Sequence, residues 1–269
     1  MKLDVFFAKH PVFRTGEISA FLEKNASANL STRKALLTHH IKTGRILRIR
    51  RGLYAVVPPG VAPRDLVIDP YLLAGKITDD AILGYHTALE AHGRAYSVFR
   101  HFTYFTRRNL GRGFEFQGIT YQGVSFPKVL RDSGQEDMLV GKQDRAGLDI
   151  RVTKLERSFV DVLDRPTLSG SWEEIWRSLE SIEFLNPDLV LEYLTILGNA
   201  TTAAKAGFFL EQNQDSLMVD DETLSKIQSL CPTSPHYMDR NFPSEGKLLP
   251  RWNLIVPSAV IEREWEEIG

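Results

Sequence analysis

The chain has 269 residues, 43% of them hydrophobic, a net charge of -1 and a single cysteine. That length and apolar fraction support a sizeable core spread over two or three domains, and they exclude a disordered tail. Cys231 alone builds neither a disulfide framework nor a cysteine-based zinc site, and it reads as a small buried hydrophobe.

The first residues lack the apolar stretch of a signal peptide, and no apolar run approaches the ~18 residues of a membrane helix. The expectation is a soluble, cytoplasmic protein. Its near-neutral charge conceals an asymmetry: residues 1–57 carry eleven Lys and Arg against three Asp and Glu, whereas residues 173–269 carry seven against seventeen. A basic head of this kind is suited to a polyanion, and the acidic body to a different task.

In chain order, DVFFAKHP reads as a short helix that begins near Asp4 and stops before Pro11. TGEISAFLEKN is a second helix, capped by Thr15, with Ile18, Phe21 and Leu22 at helical spacing. A third begins around Ser31 and ends at Gly44, a left-handed C-cap. Leu37 and Ile41 share its apolar face, while Ser31, Thr32, Arg33, Lys34 and Thr38 fall on its first turns and other side. In the adjacent His39-His40 pair, one ring faces solvent and the other packs; neighbours on a helix point in different directions and do not make a metal site.

The hairpin RILRIRRGLYAVV follows, turned at Arg51-Gly52 because glycine tolerates positive φ. Alternation assigns Leu47, Ile49, Leu53 and Tyr54 to the core and leaves Arg48, Arg50 and Arg51 outward. Three helices and a basic hairpin make a winged helix-turn-helix, in which the start of the third helix meets base edges in double-stranded DNA and the wing meets the backbone or minor groove. A competing reading leaves the arginines as protection of a sheet edge.

Pro58 and Pro59 close the head, and the remainder reads as a mixed α/β body. Asp69-Pro70 opens a helix, and another ends at Gly93. Residues 98–108 alternate as an aromatic strand, and two shorter strand candidates follow up to residue 126. The resulting aromatic-rich sheet either buries its rings or stacks bases on them, and burial is the favoured reading. Thr153 with Glu156, and Ser171 with Glu174, read as capping boxes; Asn186-Pro187 starts a helix that Gly198 closes. ATTAAKAGFFLEQ is a helix with small residues suited to close packing, and RWNLIVPS is a terminal strand. The fold class is α+β, with the winged helix-turn-helix at 1–58, an α+β domain at 59–168 and a mainly helical C-terminal region at 169–269; the last two are also readable as one domain.

Three short signatures stand in a fixed succession: Gly52-Leu53-Tyr54-Ala55, then Tyr85-His86-Thr87-Ala88-Leu89 with His92-Gly93, then Glu156-Arg157-Ser158 with Asp161. With them the chain resembles the AbiEi family of antitoxins from bacterial type IV toxin-antitoxin systems. Tyr85 stands where the family pattern has serine, and Ser158 where it has threonine. The resemblance implies a winged helix that represses its own operon by binding promoter DNA, and a C-terminal region that neutralises a nucleotidyltransferase-class toxin in phage defence; repressors of this kind commonly pair as dimers on inverted repeats, and the oligomeric state stays open.

No Walker loop, dinucleotide fingerprint or serine-hydrolase elbow is present, so the expectation is a non-enzyme without cofactor or metal. Two alternatives stay open. The body can be an enzyme that modifies the toxin or acts on RNA, with Asp161 and Asp164 one helical turn apart as Mg²⁺ ligands. Alternatively, the chain can be a DNA-binding regulator without a toxin partner.

Overall fold

The computed structural model describes residues 2–25, 30–108, 111, 113–240, 246–263 and 265, without the side chains of residues 2, 25 and 30–32. The elements run α1 (Lys2–Lys9), β1 (Val12–Arg14), α2 (Thr15–Asn25), α3 (Leu30–Lys42), β2 (Ile46–Arg50), β3 (Leu53–Val56), α4 (Pro70–Lys76), β4 (Ile82–Leu83), α5 (Tyr85–Ala91) and β5 (His101–Phe105). They continue through β6 (Phe114–Phe116), β7 (Ile119–Val124), α6 (Lys128–Ser133), β8 (Val140–Arg145), β9 (Leu148–Thr153), α7 (Leu155–Asp164), α8 (Trp172–Glu180) and α9 (Pro187–Leu197). The last are α10 (Ala200–Gln212), α11 (Asp221–Ser229), β10 (His236–Tyr237), β11 (Gly246–Leu249), β12 (Leu254–Pro257) and α12 (Ser258–Ile261).

These elements form two units, the first from residues 1–83, 100–124 and 142–152, the second from 84–99, 125–141 and 153–269. Each unit is assembled from separate stretches of the chain. Strands that complete one sheet come from separate stretches of chain, and α5 packs against α7.

The first unit begins with the winged helix-turn-helix. β1, β3 and β2 form an antiparallel sheet in that order, with Phe13 opposite Tyr54 and Ile46 opposite Val56. Phe6, Phe7, Phe13, Ile18, Leu37, Ile46 and Tyr54 make the core between sheet and helices. β1 is a strand that sequence periodicity misses, because three residues are too few to show a period of two.

The wing departs from its simple alternation. Ile46 is buried in the core, whereas Leu47 and Ile49, which alternation assigned to it, are only half-buried: the core row of β2 starts at Ile46, and a register shift between Arg48 and Arg50 then displaces the end of the strand. Leu53 and Tyr54 are buried as expected. His39 is exposed, and His40 packs edge-on against Phe7 at 5.2 Å.

Also in this unit is a six-stranded sheet in the order β6-β7-β5-β4-β9-β8. Its rings turn inward: Phe102, Tyr104, Phe105 and Tyr121 are buried, which removes them as platforms for stacked bases. Arg100, Arg107 and Arg108 sit exposed at the strand ends.

The second unit is mainly helical. α7 packs against α5, α9 and α10, and the small sheet β10-β12-β11 adjoins α10. Asn186 accepts from the amides of Asp188 and Leu189, and Gly198 closes α9 at φ 63. Ser171 caps α8 through the Glu174 amide, but the Glu174 side chain does not reach back, so the box is half formed. Thr153 does not cap α7: its hydroxyl lies 2.7 Å from that of Ser158, and Glu156 accepts from the Asn186 amide. Cys231 is half-buried, and burial pushes its thiol up to about 11. Among the described residues, no helix is long and apolar enough to cross a membrane.

Candidate nucleic-acid interface

Leu37 anchors α3 in the core and leaves Lys34, Ala35, Thr38, His39 and Lys42 as an exposed stripe, together with Ile41, which the sequence pattern had placed on the apolar face. Lys34 and Thr38 are four residues apart and lie on one face. Ser31 and Thr32 belong to the first turn of this helix, but their side chains lie outside the described residues. Arg33 is placed differently from a free DNA contact: it is half-buried, and its Nη1 donates to Ser19 Oγ at 2.7 Å.

Ser19 Oγ in turn donates to the Thr15 carbonyl at 2.6 Å, and the Thr15 backbone N–H donates to the Gly52 carbonyl at 2.9 Å. A continuous chain of hydrogen bonds thus runs from the first turn of α3, through the start of α2, to the wing turn. The Thr15 hydroxyl also donates to Gly52, at 3.3 Å, instead of capping α2 as the sequence suggested. Glu17 accepts from the Arg14 amide, at 2.7 Å, just ahead of that helix.

Gly52 adopts φ 83, which lets the wing reverse in two residues. Arg48 and Arg51 are exposed. Arg50 is not: it is half-buried, with its guanidinium 5.0 Å from the centre of the Phe114 ring. Alternation along β2 does not foresee this contact, because the register shift turns Arg50 toward a strand 64 positions further on. Arg45 is taken up by α1, pairing with Asp4 and lying over Phe7.

The second and third sequence signatures are located in the second unit. His86 is buried, its Nε2 donates to Glu174 Oε1 at 3.0 Å, and its ring stacks on Phe99 with centres 3.6 Å apart. Burial lowers the His86 pKa against the opposing pull of Glu174. Arg157 donates to the carbonyls of Glu136 (2.7 Å) and Met138 (2.8 Å), and through Nε to Asp161 at 3.2 Å. Tyr193 donates to the other oxygen of Asp161 at 2.7 Å.

Asp161 and Asp164 do not converge on a metal position. Asp161 is enclosed with Arg157 and Tyr193, while Asp164 accepts from Asn199 and Thr202, each at 2.8 Å. Among the described residues, no group of three or more His, Cys, Asp or Glu is arranged to hold a metal ion. These two signatures hold helices together, whereas exposed basic side chains line α3 and the wing.

The head is a winged helix-turn-helix, the fold class with which many transcriptional regulators meet duplex DNA. Residues 1–57 match the family model described as "Transcriptional regulator, AbiEi antitoxin", which bears out over the head the resemblance seen in the sequence. No curated protein matches the chain. Among solved structures, the crystal structure of the RV2827C protein from Mycobacterium tuberculosis matches with a TM-score of 0.63 at 14% identity, covering 100% of this chain and 94% of that one. At that identity the likeness is one of fold.

Proposed function

We propose that the protein is a DNA-binding autorepressor and an antitoxin. Its head binds promoter DNA of its own operon, and its body neutralises a toxin of the nucleotidyltransferase class. The observation that carries this reading is the hydrogen-bonded chain from Arg33 through Ser19 and Thr15 to Gly52, which ties the helix with the exposed basic face to the turn of the basic wing. The family match of residues 1–57 to an antitoxin regulator supports it.

In this reading Ser31, Thr32, Lys34 and Thr38 meet the major groove, with Arg33 fixing the pitch of their helix. Arg48 and Arg51 meet the backbone or minor groove, and Arg50 lies behind them against Phe114. Neutralised phosphates release counterions, so affinity falls steeply with salt. A paired repressor on an inverted repeat follows from the usual geometry of such heads.

The test is a mobility-shift titration on the upstream DNA. Binding at low salt that weakens in a Lys34→Ala, Arg48→Ala, Arg51→Ala variant is the expected result; no binding, or none of that weakening, overturns the DNA reading. The antitoxin half is tested by co-expression with the product of an adjoining nucleotidyltransferase-like gene. Failure to restore growth overturns it.

A further inference from the structure

A cleft of about 480 Å³ lies in the first unit, outside the stripe on α3, and is lined by Arg14, Arg50, Arg51 and Arg108 together with Thr15 and Gly16. The arginines come from four places in the sequence: β1, the end of β2, the wing turn, and the chain after β5. Only the last lies beyond the head, just past a strand of the six-stranded sheet.

Four guanidinium groups face two carboxylates there, Glu17 and Asp79, and both carboxylates are already engaged. Glu17 accepts from Lys76 Nζ at 2.7 Å and pairs with Arg14 at 3.6 Å. Burial alone would raise the Glu17 carboxyl, but bonds from Lys76 and the Arg14 amide outweigh it and hold the group below its ordinary value, ionised. Asp79 pairs with Arg108 at 2.7 Å. Arg50 lies over the Phe114 ring, Arg51 is exposed, and, among the described residues, Nη1 of Arg14 is buried without a hydrogen-bond partner.

Gathered like charges with open donors are costly unless an anion with several acceptor oxygens joins them, and guanidinium forks match the oxygens of a phosphate group. We propose that this cleft seats a phosphodiester of the DNA backbone, so that Arg108, just past β5, grips the same duplex as α3. The proposal rests on the DNA reading above. The wing turn that lines the cleft is the one tied by Thr15 to α2 and, through Ser19, to Arg33, so a strand passing the wing meets the cleft without any rearrangement of the head.

The test uses the full chain, the upstream duplex and a salt titration. Arg108→Gln should weaken binding about tenfold and lower the slope of log K against log salt by about 0.9, the share of one phosphate contact. Asp79→Asn, which frees Arg108 and removes a competing negative charge, should strengthen binding; a purely structural role for the pair would make both substitutions weaken it, and that result overturns the proposal. Arg64→Gln, an exposed arginine outside the cleft, is the control and should leave affinity within about twofold.

If Lys34→Ala impairs binding while Arg108→Gln matches the control, the cleft assignment fails and the DNA reading stands. If the unaltered chain binds no duplex, both fail. Calorimetric titration with inorganic phosphate separates the sources of the anion. Saturable phosphate binding that disappears in Arg108→Gln, with duplex affinity unchanged, assigns the cleft to a soluble phosphate ligand and overturns the backbone seat.

Discussion

Arg157 is 0% exposed, and its charge is held by two carbonyls and the enclosed Asp161. Removing it leaves that carboxylate uncompensated in a low-dielectric site, so Arg157→Ala should cost ~3–5 kcal/mol of stability, read from the urea midpoint. A loss under ~1 kcal/mol would mean that Asp161 finds another partner or a proton. The Glu-Arg-Ser signature carries this residue in plain view, yet sequence alone leaves its aspartate equally open as a metal ligand. What decides is the Tyr193 hydroxyl, 32 positions away, which takes the second carboxylate oxygen.

His86 offers a pH readout at the same scale. Glu174 and Glu90 face its ring, at 3.0 and 3.7 Å, but burial dominates and lowers its pKa from the ordinary 6.5. The unfolded chain then binds the proton more readily than the folded one. The His86 contribution to stability is full above pH 6.5 and is lost as pH falls below it toward the folded value. The difference in thermal midpoint between the unaltered chain and His86→Gln should therefore shrink as pH is lowered from about 7.5 to about 5.5. A difference that is constant across that range contradicts the burial of a neutral ring.

Among the elements, α10 shows how far local pattern reaches. Its run of small residues signals close packing, and the structure supplies the neighbour: a Cβ on Gly207 would stand 2.2 Å from the Trp252 ring. Helix propensity favours alanine over glycine by ~1 kcal/mol, but the clash forces the indole out of place. Gly207→Ala should thus destabilise by about 1–3 kcal/mol in denaturant unfolding, the opposite sign to propensity.

Caps were legible for the converse reason. Asp69, Ser171 and Asn186 bond to amides two or three residues on, within the stretch that a sequence displays. Ser171→Ala should cost ~1 kcal/mol by the same measurement. Thr153 carries an equally good signal and does not cap, because the Ser158 hydroxyl claims its side chain. At the wing, the basic hairpin and its turn were readable, but the face of each arginine was not, since the register shift between Arg48 and Arg50 depends on pairing with β3.

For the whole molecule, the consequential finding is that the head does not stand alone. α4 packs against β1, Lys76 bonds to Glu17 of α2, and Phe114 lies under Arg50 of the wing. A fragment cut at residue 58 keeps every residue of the family match but loses these supports, along with the cover that the rest of its unit gives. Such a fragment should melt at a lower temperature than the corresponding transition of the full chain, followed by near-ultraviolet circular dichroism. An unchanged midpoint would mean that these contacts do not support the head.

The sequence by itself determined the winged helix-turn-helix, the basic head and acidic body, most helix starts and the burial of the sheet aromatics. Each of these follows from charge composition, from a period of 2 or 3.6, or from a cap within a few residues. Only the tertiary structure decided that Arg33 and Arg50 are held inward, that Asp161 and Asp164 part company, and that Arg108 joins the arginines of the wing. Those outcomes depend on partners tens of residues apart, which chain order does not display and which are selected by competition for buried hydrogen bonds and uncompensated charge.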